Sequence, residues 1–169
     1  MAERVDISGI KEEIRALLVA CNQIGASPVD LSNGLSGTRR VQKVLKLNLE
    51  AIPVQPSYWP FVTIFVDSKN YNNQSMAGTG LQNRRDAYVS IKIVGGIWNT
   101  HVHDPKADQA DDDCETLMEN VELILRSSDF LNNKVAWHMF EGTTYHNQRI
   151  NEEAHARCGV LSLRARVTY

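Results

Sequence analysis

The sequence predicts an α+β fold, a mainly antiparallel sheet of about five strands with two amphipathic helices packed on one face, and three observations carry that prediction. Ala107, Ala110, Cys114, Leu117, Met118, Val121, Ile124 and Leu125 recur at the three- and four-residue steps of a helix face. Val89, Ile91 and Ile93 alternate with Ser90 and Lys92, as do Leu161, Leu163, Ala165, Val167 and Tyr169 with Ser162, Arg164, Arg166 and Thr168, which is the period of a strand. Phe61 to Val66 is a mainly apolar run rich in β-branched residues, suited to a strand buried on both faces. With 169 residues, 43% of them hydrophobic, the chain has material for one core, and residues 1–169 read as a single domain.

Taken in order, Ile7, Ile10, Ile14, Leu17, Leu18 and Cys21 mark a first helix over Asp6 to Asn22, stopped near Gly25 and Ser27–Pro28. Gln23 to Thr38 is rich in turn formers. Leu45, Leu47 and Leu49 then alternate with Lys46, Asn48 and Glu50 as a half-buried strand. Pro53, Pro56 and Pro60 punctuate an extended connection whose Tyr58 and Trp59 should pack against the sheet edge. After the apolar run, the polar stretch Asp67 to Asp86 reads as a long loop, either disordered or used for contact. Its Gly78–Thr79–Gly80 lacks the third glycine and the helix of a phosphate loop. Ala87 to Val94 is the next strand, ended by Gly95–Gly96.

The second helix spans Asp104 to Arg126. Asp104 suits the N-cap and Pro105 the first helical position, and Asp108, Asp111, Asp112 and Asp113 match the positive end of the dipole. Val135, Trp137 and Met139 alternate with Ala136, His138 and Phe140 in a fourth strand. Thr143 to Arg157 reads as an exposed connection, and the final strand closes the sheet, so truncating it should cost solubility.

Composition narrows the function. A formal charge of −2 and a pI near 6.2 disfavour a general nucleic-acid binder. No apolar run reaches a membrane span, and Met1 to Asp6 lacks the layout of a signal peptide, so synthesis in the cytoplasm is expected. Cys21, Cys114 and Cys158 are widely spaced, and buried, reduced thiols are expected.

The best candidate metal ligands are His101 and His103, since His-x-His on extended backbone can aim both rings to one side. Gly95 followed by His101 and His103 matches half of a cupin pattern, but Asp104–Pro105 starts a helix where the second half belongs. The histidines therefore read as a loop, with no metal and no cofactor expected. His138, His146 and His155 lack a recognisable nucleophile, and no catalytic residue is assigned. Interface candidates are Asn70, Tyr71, Asn72, Asn73, Arg84 and Arg85 in the polar stretch, and Arg164 and Arg166 on one face of the last strand.

The layout of the N-terminal helix, the "WPFVTIFVD" strand at Trp59 to Asp67, the "AYVSIKIVGG" strand at Ala87 to Gly96, the acidic-start helix and the closing "GVLSLRARVTY" resembles the tail-terminator or tail-completion proteins of long-tailed bacteriophages. The resemblance implies a non-enzymatic virion protein of the neck. It would form a homo-oligomeric, six-membered ring on the tail tube, end polymerisation of the tube protein, dock the head–tail connector and surround DNA only as passing cargo. Two other readings accompany it, a different neck component such as a head-completion or connector subunit, and a small metal-dependent enzyme using His101 and His103.

Overall fold

The computed structural model describes residues 5–36, 40–48, 50, 56–72, 86–99, 107–149 and 155–168. Helix α1 (Ile7–Ala20) precedes strands β1 (Lys43–Leu45), β2 (Phe61–Asn72) and β3 (Asp86–Asn99), helix α2 (Ala107–Arg126), and strands β4 (Trp137–Arg149) and β5 (His155–Thr168). The five strands form one sheet in the order β1-β2-β3-β5-β4, antiparallel throughout except for the short β1–β2 pair. The α+β fold with a mainly antiparallel five-stranded sheet is thus the one the sequence predicts.

The helices form where the periodicity places them. Asp6 caps α1 by accepting from the Gly9 N–H at 2.8 Å, and Ile10, Ile14 and Leu18 are buried. α2 buries Cys114, Leu117, Met118, Val121, Ile124 and Leu125 completely or nearly so. These stripes enter one core cluster with Val62 and Ile64 of β2, Val89, Ile91 and Ile93 of β3, and Leu161, Leu163 and Ala165 of β5. By strand alternation those residues share the inner face of the sheet. Asp104, Pro105 and Lys106, where the start of α2 was expected, lie outside the described residues.

The strands differ from the prediction at their ends. β2 does not stop at Val66. After a bulge between Val66 and Ser68 it continues to Asn72, with Ser68 opposite Ser90 and Asn70 opposite Tyr88, so residues 67–72 are strand rather than loop. β4 likewise runs through Thr143 to Arg149 and pairs with β5 from His155 onward, which shortens the expected Thr143–Arg157 connection to residues 150–154. Ladder hydrogen bonds are made by the backbone, so two arms of a hairpin can pair beyond the point where an apolar pattern marks them.

β1 shows the opposite deviation. It covers only Lys43 to Leu45, and Leu47 is 43% exposed rather than sitting on a strand's inner face. The buried Thr63 hydroxyl accepts from the Leu47 N–H at 3.1 Å and donates to the Leu47 carbonyl at 2.5 Å, so a side chain replaces the ladder there.

Gly95–Gly96 does not end β3, which passes through the pair to Asn99. The glycines answer to packing above and below the sheet. A Cβ on Gly95 would lie 2.7 Å from the Met118 sulfur, and one on Gly96 would lie 2.4 Å from the Phe61 ring. Phe61 belongs to a second cluster with Trp59, Val94, Ala156 and Cys158 on the outer face. Trp59 stacks edge-on against Phe61 at 4.6 Å and Trp98 at 5.5 Å, and so packs over the sheet face rather than against its edge.

The loop after α1 is tied by polar contacts. Arg40 donates twice to Asp30, at 2.6 and 2.8 Å, the Ser32 N–H adds a third bond, and the buried Asn120 of α2 donates to the Leu31 and Asn33 carbonyls. The Arg40 hydrogen bonds hold the Asp30 carboxyl below the usual carboxylate range. A depressed folded pKa stabilises above the unfolded value near 4 and is lost as pH falls through the folded one. Asp30→Asn should therefore lower stability by about 1 kcal/mol at neutral pH and flatten the loss between about pH 5 and 2, measured by thermal unfolding across that range.

Candidate protein interface on the outer face of the sheet

The outer face divides into two halves. One end carries the Trp59 cluster, and the other carries polar and aromatic side chains in transverse rows set by strand register. Asn70, Tyr88, Arg166 and Trp137 form one row across β2, β3, β5 and β4, and Ser68, Ser90, Arg164 and Met139 form the next. A third holds Phe65, Lys92, Ser162 and Gly142, where Gly142, at φ +134°, follows a bulge in β4. Asn72, Asp86 and Thr168 close the far end.

Contacts within and between these rows hold the long side chains against the sheet. The Arg164 guanidinium lies 4.9 Å from the Tyr88 ring centre, and Tyr88 meets Trp137 at 6.1 Å. Arg166 donates to Asp86 at 2.6 Å, Thr168 donates to the other Asp86 oxygen at 2.9 Å, and Lys92 donates to the Ser162 hydroxyl at 2.7 Å. The Arg166 bond, and to a lesser degree that of Thr168, holds the Asp86 carboxyl below its usual range, while Asp86 raises the pKa of Arg166 in return. Arg164 is exposed and has no carboxylate partner among the described residues. Met139 beside it is 49% exposed.

Four of the residues singled out from the sequence, Asn70, Asn72, Arg164 and Arg166, thus come to one end of one face by backbone register. Tyr71 alternates to the other side, where the Lys69 ammonium sits 4.4 Å from its ring centre. Asn73, Arg84, Arg85, His101 and His103 lie outside the described residues. Tyr88, Trp137 and Asp86 are not among those candidates, because which residue stands across from Arg164 or Arg166 depends on long-range register; alternation does hold Ser90 and Lys92 to one side of their strand.

The remaining chemistry is sparse among the described residues. No group of three His, Cys, Asp or Glu side chains could hold a metal there. The three cysteines are free and buried, as expected, and burial pushes the Cys114 thiol up to about 12 and Cys158 to about 11, far from thiolate at neutral pH. Burial lowers the pKa of His138, whose Nδ1 has no hydrogen-bond partner among the described residues. A recess of about 90 Å³ between Trp59, Trp98, Ile97 and Asp113 is well below the roughly 300 Å³ at which small-molecule sites begin.

The aspartates at the start of α2 have separate tasks. Asp111 pairs with Arg157 at 3.1 Å, and Asp113 accepts from the Ser36 N–H at 2.8 Å and from the Ser36 hydroxyl. No helix among the described residues is long and apolar enough to cross a membrane. The sequence matches no family model and no curated protein.

Proposed function

We propose that this chain is a structural assembly subunit which forms a homo-oligomeric ring, and that the ring caps the tail tube of a long-tailed bacteriophage. The observation that carries the assembly reading is the outer face of the sheet, where the half-buried Tyr88, Trp137, Lys92 and Arg166 stand in register on strands around the exposed Arg164 and Met139. Rigid strands hold such groups in place before a partner arrives, which reduces the ordering cost of association. The tail-terminator role rests on the layout of helices and strands described above. In that role the ring's partners are the tube protein on one side and the head–tail connector on the other, with DNA passing through and the virion neck as its location.

The expected result is that the purified protein sediments well above monomer mass or rings on tail tubes, and that tubes assembled without it grow overlong. A monomer that never assembles, alone or with tubes, overturns the assembly reading. Normal tube lengths in its absence move the role to another neck component.

A further inference from the structure

We propose that successive copies in this ring join head to tail, the exposed stripe of α2 on one copy docking against the Arg164 face of the sheet on the next. The inference rests on the ring reading and adds to it the two surfaces that meet.

The two surfaces lie on opposite sides of the subunit. α2 packs over β3 and β5 on the inner face, since Met118 fills the space above both Gly95 and Gly159. Arg164 and Lys92 alternate to the outer face. A subunit carrying two different, complementary patches makes heterologous contacts, and those close into a ring when the rotation between copies permits.

Charge and spacing match. Along α2, Asp112, Glu115, Glu119 and Leu123 are exposed at helical steps, and the three acids have no ion pair or hydrogen bond among the described residues, whereas Asp111, Asp113 and Glu122 are engaged by Arg157, Ser36 and Arg126. Asp112 to Glu119 spans roughly 10 Å at the helical rise. On the sheet, Arg166 is held by Asp86, whereas Arg164 and Lys92 meet no carboxylate among the described residues, and their rows lie two residues, roughly 7 Å, apart along the strands. That separation is close to the roughly 6 Å of one helical turn between Glu115 and Glu119, so two of the acids match two bases.

Each surface also carries an exposed apolar residue beside its charges. Leu123, 52% exposed, sits one turn beyond Glu119, and Met139, 49% exposed, stands directly across from Arg164. Complementary charge fixes partner and register while these side chains leave water together.

Arg164→Glu and Glu119→Arg test the contact by sedimentation, with circular dichroism to confirm folding. Each variant alone should need a concentration at least about tenfold higher than the unaltered protein to assemble. Their equimolar mixture should assemble at close to the unaltered concentration, because in an alternating ring every helix then meets a sheet face of opposite charge. Single variants that assemble normally, or a mixture no better than either alone, overturn the contact while the ring reading stands. Failure of the unaltered protein to assemble under any condition overturns both.

Discussion

Removing residues 159–169 should abolish the fold, leaving a chain without a cooperative thermal transition and largely in the insoluble fraction. β5 is an interior strand, paired on one side with β3 from Asp86–Thr168 to Asn99–His155 and on the other with β4 along its length. Its loss would unpair both neighbours and strand β4 away from the sheet. It would also remove Leu161, Leu163 and Ala165, each completely buried in the main cluster. Burial of a side chain of this kind contributes roughly 1.5–3 kcal/mol, so the aliphatic losses alone approach the net stability of about 5–15 kcal/mol that a domain possesses. A truncated chain that stays soluble and melts cooperatively would contradict this assignment of β5.

Gly96→Ala should destabilise the protein by about 2–3 kcal/mol, read as a lowered midpoint in denaturant with an unchanged slope. The added methyl would lie 2.4 and 2.7 Å from two carbons of the Phe61 ring and 2.8 Å from the Trp59 indole. Neither ring can swing aside as the end of a lysine could, since Phe61 is 1% exposed and the two rings are stacked against each other. Glycine at position 25, by contrast, faces open space, so the comparison must use substitutions that account for its φ of +79°.

The parts of the fold legible in the sequence are those encoded by near neighbours. The apolar steps from Ile10 to Leu18 and from Cys114 to Leu125 define helix faces without reference to the rest of the chain. Strand ends depend on partners far away. Ser68 and Asn70 are polar and exposed, and they are strand because Ser90 and Tyr88 stand across from them. Gly95–Gly96 looks like a stop signal when read locally, but its meaning comes from Met118 and Phe61, residues remote in the chain.

The same limit governs the candidate interface. Alternation alone places Arg164 and Arg166 on one face, whereas the neighbours that shape that face, Tyr88, Trp137 and Met139, follow from pairings no short window contains. Asp113 is a further case. Its position suits the helix dipole, yet its hydrogen bonds go to Ser36, and no spacing rule connects those two residues.

The glycine pair in β3 also bears on how the molecule comes apart. Elsewhere a sheet separates the layers on its two sides by side chains that can move independently, but here Met118 and Leu117 approach the backbone from one side and Phe61 and Trp59 from the other. The two apolar clusters are in effect laminated through a single thickness of peptide. Loosening one releases the support of the other, which makes helix, central strand and aromatic cap one cooperative unit of unfolding rather than two layers that peel separately.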